Sequence, residues 1–283
     1  MHLRSSILYV AHTSNDSVDV IDCSQDKYLR SIPNLVGVAG VLVSNEKDVV
    51  FTSNRGENTV GVFDHGKDWS LHKIKVGGRP NGLAFDTSRN SLLAANVPKP
   101  DSQDPVTISI VDVVKRVMTA DVTVPGRTRW AVFDPDTERF YVNIADPSEI
   151  AIIDAKDPDG LAGSYHIPAV GPHGLDLDRR GRRLFCACDE GRLYEVDLES
   201  EKVSERSKHA GTPDVIFYNP DLDHLYVTIG DPGVIQVFDM KSMKEIQTVT
   251  TQAGTRTIAF NRKNGKVYAF MPETHRAAVY QEA

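Results

Sequence analysis

The chain has 283 residues, 40% hydrophobic and 25% charged, with 20 glycines and 15 prolines, which excludes disordered, collagenous and low-complexity classes. Its formal charge is −7 with no basic block, so neither a general grip on a phosphate backbone nor a nucleic-acid partner is expected. The longest uninterrupted apolar run, Leu35 to Val43, is far short of the roughly 20 residues that span a bilayer, and no membrane insertion is expected.

The chain opens on MHLRSSILYVAH, where no apolar stretch precedes a small-residue cleavage site. It reads as cytoplasmic as given, and as periplasmic or secreted if a leader has been removed. From there, short β-branched and aromatic runs recur: ILYVAH (7–12), VVFTSN (49–54), LLAANV (92–97), RFYVNI (139–144), RLFCAC (183–188), HLYVTI (224–229) and KVYAFM (266–271). Their matching positions Tyr9, Phe51, Leu93, Tyr141, Phe185, Tyr226 and Tyr268 are separated by 42, 42, 48, 44, 41 and 42 residues. That period is the length of a propeller blade.

Each of the first six runs is followed by a strand ending in an acid, at Asp22, Asp64, Asp112, Asp154, Asp197 and Asp239, and the seventh by AAVYQ. From the second unit onward each is preceded by another strand, VLVS (41–44), GLAFD (82–86), WAVFD (130–134), GLDLD (174–178), VIFYN (215–219) and TIAFN (257–261), introduced by Gly/Pro turns. More polar segments such as LHKIKV, MTADVTV and EIQTVT supply a fourth strand. Units of this size cannot bury their apolar faces alone and must stack around an axis. The expectation is an all-β, seven-bladed β-propeller of four-stranded antiparallel blades, a single domain over 1–283. Its first blade lacks the innermost strand and its last the outermost, and the termini are expected to meet.

The units YVAHTSNDSVDVID, FTSNRGENTVGVFD and YVTIGDPGVIQVFD, alternating with GGRPNGLAFD and AGTPDVIFYN, resemble the YVTN-repeat (YncE-like) β-propeller family over nearly the whole chain. The pattern departs from that family in the third blade, which inserts PKPDSQDP (98–105), and in the fifth, which reads FCAC. The resemblance implies architecture strongly and chemistry weakly, because propellers of this kind include binding proteins, surface proteins and enzyme domains.

A repeat supplies its own control: what recurs in every unit is structural, and what differs at one position asks for another reason. The acids ending the third strand recur and are expected to hold turns, as are Asp86, Asp134, Asp178, Asn219 and Asn261 ending the first. Five residues before that second set stand Ala39, Asn81, Arg129, His173, Asp214 and Arg256, which differ. The innermost strands line the axis, so these side chains are expected to converge on one funnel.

Two arginines, an imidazole, a carboxylate and an amide suit a small anion, with Asn81, Arg129 and Arg256 as ligand-binding residues. His173 and Asp214 are the candidate catalytic acid–base pair. His12, where other blades carry Asn54 and Asn96, is a further candidate facing the funnel. Loop residues including Arg55, Asp101, Asp104, Asp189, Glu190 and His275 read mostly as solvated charges, and the 98–105 insertion as a segment placed to contact ligand.

No cofactor is expected. A divalent metal on His173 and Asp214 would be repelled by Arg129 and Arg256, and no zinc, P-loop, GxSxG or haem-attachment spacing is present. Cys186 and Cys188, two apart on one strand, are expected to be thiols rather than a disulfide.

Two functions are therefore expected from this surface. One is a binding module for a small anionic molecule or a protein. The other is an enzyme of the propeller lactonase, cycloisomerase or lyase type, with His173 transferring a proton and the arginines holding a carboxylate or oxyanion.

Overall fold

The computed structural model describes residues 1–281. Seven antiparallel sheets follow one another along the chain, five of four strands and two, the first and last, of three. Contacts between the innermost strands of consecutive sheets arrange them around an axis, and the last blade is tied to the first by Tyr268 Oη, which donates to the Cys23 carbonyl at 3.1 Å. The fold is a seven-bladed β-propeller. Apart from strands, the described residues hold only two single-turn 3₁₀ segments, Thr13–Asn15 and Asp68–Ser70.

The second strand of each blade carries the repeat's aromatic or Leu position at its buried centre, with Phe51, Leu93, Tyr141, Phe185, Tyr226 and Tyr268 all inside the molecule. These strands are buried on both faces because a blade is sandwiched between two neighbours, which is why they read as continuous apolar runs rather than as an alternation. The outermost strands, such as Lys244–Thr250, face solvent and are polar. The core is divided blade by blade into separate apolar clusters, one of them built on Phe140, Val142, Ile144, Ile108 and Leu93 from adjoining blades.

The acids of the turns do what their recurrence predicts. Asp22 accepts the Ser24 N–H at 2.8 Å, Asp112 that of Lys115 at 2.8 Å, and Asp197 that of Ser200 at 2.9 Å. At the other set, Asp86 accepts from Ser88, Asp178 from Gly181 and Asn219 from Asp221. Each is an Asx-type turn in which the side chain takes a backbone donor that the reversing chain leaves unpaired.

The innermost strands begin earlier than the sequence suggests: Val38–Ser44, Arg79–Asp86, Thr128–Asp134, Pro172–Asp178 and Pro213–Asn219. The difference has one cause. In each, the pairing with the second strand slips between Val38 and Gly40, Pro80 and Gly82, Thr128 and Ala131, Pro172 and Gly174, and Pro213 and Ile216. A β-bulge interrupts the alternation there, so the apolar pattern ends before the strand does.

Candidate functional site

Ala39, Asn81, Arg129, His173 and Asp214 all lie within those register slips. A bulge leaves its extra residue out of the ladder and re-aims its side chain. Where a glycine follows, after Ala39, Asn81 and His173, the close approach of the strands requires it: a Cβ on Gly82 would meet the Arg129 carbonyl oxygen at 2.4 Å, and one on Gly174 the Asp214 carbonyl oxygen at 2.9 Å. The bulge backbone is also gripped from behind. Asn143 Nδ2 donates to the His173 and Gly174 carbonyls at 3.0 and 3.1 Å, and Thr228 Oγ1 to the Val215 carbonyl.

His173 is at the centre of the resulting cluster and buried. Its Nδ1 is 2.6 Å from Asp189 Oδ1, and its Nε2 is 3.2 Å from Arg129 Nη1 and 3.6 Å from Asp214 Oδ1. Arg129 Nη2 reaches Asp189 Oδ2 at 3.2 Å, so Arg129, His173 and Asp189 form a closed triangle. Asp214 in turn accepts from Trp130 Nε1 at 3.0 Å.

Trp130 is exceptional in the repeat. At its position the second, third and fifth blades carry Gly40, Gly82 and Gly174, and its indole instead lines the central cavity.

Asn81 is not bonded to this triangle; it accepts a hydrogen bond from Arg55 Nη2. Arg55 connects the two groups electrostatically, feeling the charges of Arg79, Arg127, Asp214 and Arg129. Arg129 likewise feels Arg127 and Arg256. Burial first, and the crowding of like charges second, lower the proton affinity of both Arg55 and Arg129 relative to ordinary arginine. At Asp189 burial raises the carboxyl, but the hydrogen bond from His173 and the charges of His173, Arg129 and Arg127 outweigh it and hold the group below its usual range.

Arg55 and Arg129 thus each feel the like charges of several further arginines, in a protein whose overall charge is −7. Beside them lies a cavity of about 600 Å³ lined by Arg55, Arg79, Lys99 and Asp104, so that the 98–105 insertion forms one of its walls. Arg79 Nη1 fixes the start of that wall by donating to the Pro98 carbonyl at 3.1 Å.

His12 is placed elsewhere. It is buried at the seam between the first and last blades, with Nδ1 at 2.9 Å from Asp19 Oδ2, Nε2 at 2.7 Å from His275 Nδ1, and its ring edge-on to Phe270. None of these partners belongs to the arginine cluster.

Sequence reasoning set Asp189 and Arg55 among solvated loop charges, whereas they meet the inner-strand residues directly. The signal was present: in the position four after the repeat's aromatic, Arg55 and Asp189 stand where other blades have Ala145 and Gly230.

The three cysteines are free and buried, with Cys186 and Cys188 Sγ atoms 3.9 Å apart. Among the described residues no group of three or more His, Cys, Asp or Glu side chains is arranged to hold a metal ion. No helix of the described residues is long and apolar enough to cross a membrane.

No family model matches the chain, and no curated protein does. Among solved structures 1802 chains match, a breadth that identifies a widely used scaffold rather than an activity. One of them, Kuenenia stuttgartiensis hydrazine synthase, superposes with a TM-score of 0.87 at 14% identity, covering 100% of this chain and 94% of that one. At that identity the likeness concerns the propeller alone.

Proposed function

We propose that the chain is a binding protein that holds a small anionic ligand, a carboxylate or a phosphate ester, at the arginine-lined mouth of its channel. The observation that carries this reading is the clustering of arginines around Arg55 and Arg129, which feel the like charges of Arg79, Arg127 and Arg256 as well as the opposite charges of Asp189 and Asp214. Crowded guanidinium groups repel one another, and a bound anion relieves that repulsion while accepting charge-assisted hydrogen bonds. Buried Nε atoms of Arg55 and Arg129 have no partner among the described residues, which leaves donors for such a ligand. The repeat pattern YVAH, FTSN, YVNI and YVTI supports placing the chain near the YVTN-repeat proteins.

A thermal-shift screen of mono-, di- and tricarboxylates and phosphate esters tests the reading. A ligand at about 100 times its Kd stabilises the folded state by about 2.7 kcal/mol, enough to move the melting temperature measurably. An unchanged melting temperature across the whole screen rejects it.

A second reading is favoured by one contact. His173 Nδ1 lies 2.6 Å from Asp189, the arrangement in which a carboxylate orients an imidazole for proton transfer. In an enzyme of the lactonase, cycloisomerase or lyase type, His173 would exchange the proton through Nε2, with Asp189 orienting it and Asp214 beside Nε2. His173→Ala would then abolish turnover of a lactone or carboxylate substrate while leaving anion binding measurable. Undiminished turnover in that variant dismisses the enzymatic reading and leaves the binding reading standing.

A further inference from the structure

A second position of the innermost strands breaks the repeat, away from the arginines. Opposite the aromatic or Leu residue of each second strand, the six innermost strands place Leu42, Ala84, Val132, Asp176, Phe217 and Ala259. Five are apolar and one is a carboxylate. Asp176 stands three residues beyond His173 on the strand Pro172–Asp178, which at ~3.3 Å per residue puts it about 10 Å further towards the opposite end of the channel.

Asp176 has no turn to hold, since the turn at the end of its strand is held by Asp178. It accepts the Tyr218 N–H at 2.7 Å and the Leu177 N–H at 2.8 Å, and no side chain of the described residues pairs with it. The blades that carry Leu42, Ala84, Val132, Phe217 and Ala259 fold without such a carboxylate. Burial works against its charge, and the charges it feels are the opposite one of Arg262, an exposed side chain, and the like one of Asp178. The chain thus keeps at this place an acid that its architecture does not need.

Asp176 lines a cavity of about 410 Å³, a volume in the range of small-molecule sites. The innermost strands of four blades touch this cavity, so it lies on the channel side of the ring. Its walls are Leu42, Phe85, Val132, Phe133 and Leu177, all half-buried. Glu46 and Arg179 stand at its rim, the latter engaged by Asp136 at 2.9 Å.

We propose that this lower cavity binds a protonated organic amine with a compact apolar body, its ammonium group against Asp176 and its hydrocarbon part among Leu42, Val132 and Leu177. A carboxylate that has accepted two N–H groups keeps further lone-pair sites for an ammonium donor, and the pair is stronger in an apolar enclosure than in water. Phe85 and Phe133 add ring faces, which attract a cation. The same set selects against other ligands. An anion meets like charge, a neutral molecule leaves the carboxylate uncompensated, and a metal ion finds too few oxygen or nitrogen ligands, since no group of three or more is arranged for one among the described residues. This site stands apart from the arginine cluster and does not rest on the reading given for it.

The probe is 2-phenylethylamine, titrated calorimetrically against the full chain at neutral pH, with 2-phenylethanol as the uncharged analogue of the same shape. Saturable binding of the amine is expected, and binding of the alcohol weaker by about tenfold or more. Asp176→Asn keeps an acceptor for the Tyr218 N–H and removes the charge, and it is expected to weaken amine binding by a similar factor while leaving the alcohol unaffected. Should that variant fail to fold, the comparison of amine with alcohol in the unaltered protein decides the matter. No saturable binding of the amine, equal binding of the alcohol, or a folded Asp176→Asn variant that binds the amine undiminished overturns the proposal. The last outcome assigns the affinity to general attraction of a cation to a chain of net charge −7.

Discussion

Replacing Arg256 by alanine separates ligand binding from folding more cleanly than any other change at the site. The Arg256 side chain is exposed, forms no ion pair among the described residues, and faces Arg129 as a like charge. Its removal relieves one repulsion and breaks no buried contact, so the stability of the unliganded protein should change by no more than about 0.5 kcal/mol. A charge-assisted hydrogen bond to an anion contributes about 1.5–3 kcal/mol, so the ligand's Kd should rise roughly 10- to 150-fold.

Arg129→Ala provides the contrast. Arg129 is only 18% exposed in its side chain and holds both His173 and Asp189 at 3.2 Å. Truncating it removes one of the two partners of Asp189 and the Nε2-side partner of His173, and should cost about 1–3 kcal/mol of folding stability as well as affinity. The assay is isothermal titration with the tightest anion from the thermal screen, run at two salt concentrations, alongside denaturant unfolding of each variant without ligand. Affinity that Arg256→Ala leaves unchanged, or a loss of affinity matched by an equal loss of unliganded stability, would refute the reasoning.

Three further outcomes are expected. With Trp69, which is 84% exposed, replaced by phenylalanine, the remaining indole is Trp130 against Asp214, and anion binding should shift its emission; an emission spectrum blind to a ligand that raises the melting temperature would place that ligand elsewhere.

Asp176 carries a carboxyl pushed up to about 6, first by burial, against the backbone N–H of Tyr218 that it accepts at 2.7 Å. A raised acid binds protons more readily folded than unfolded, so its contribution to stability is most favourable below about pH 4 and is lost as pH rises through about 6. Asp176→Asn should accordingly be more stable than the native chain by about 1–2 kcal/mol at pH 7, with the gap closing towards pH 4 in denaturant titrations.

Cys23, Cys186 and Cys188 are buried, and burial pushes the Cys23 and Cys186 thiols up, so a disulfide-exchange reagent should find no fast-reacting thiol in the folded protein and three after unfolding.

Much of the fold was legible because the repeat makes each blade a test of the others. All seven second strands were readable, six of them to the residue, and the terminal acids of the third strands fall where the strands end. What escaped was the start of five of the six innermost strands; the last, Thr257–Asn261, begins where it was read. Arg79-Pro80-Asn81 and Thr128-Arg129-Trp130 look like turn residues, since a bulge breaks the alternation by which a strand is recognised.

At the site, the inner-strand position was legible as the one where Asn81, Arg129, His173, Asp214 and Arg256 fail to repeat. Asp189 and Arg55 were not placed there, because a loop charge read alone resembles any solvated charge. What brings Asp189 to His173 is the hairpin of one blade, in which Pro172 pairs with Cys188 and the Asp189 N–H donates to the Gly171 carbonyl, so that residues 16 apart in number meet across the ladder. His12 resembled Asn54 and Asn96 in position, but the last blade offers His275 and Phe270 instead of a route to the funnel.

The bulged residues have a consequence for how such a surface could change over time. Because Asn81, Arg129, His173 and Asp214 stand outside the ladder, the side chain at each can be exchanged without disturbing the main-chain bonds on which its blade depends. Ala39 occupies the corresponding place in the second blade and contributes almost no chemistry, a blank tile beside inscribed ones. A toroid constructed this way can acquire or discard selectivity by one codon at a time, while the architecture that presents the tiles is inherited intact.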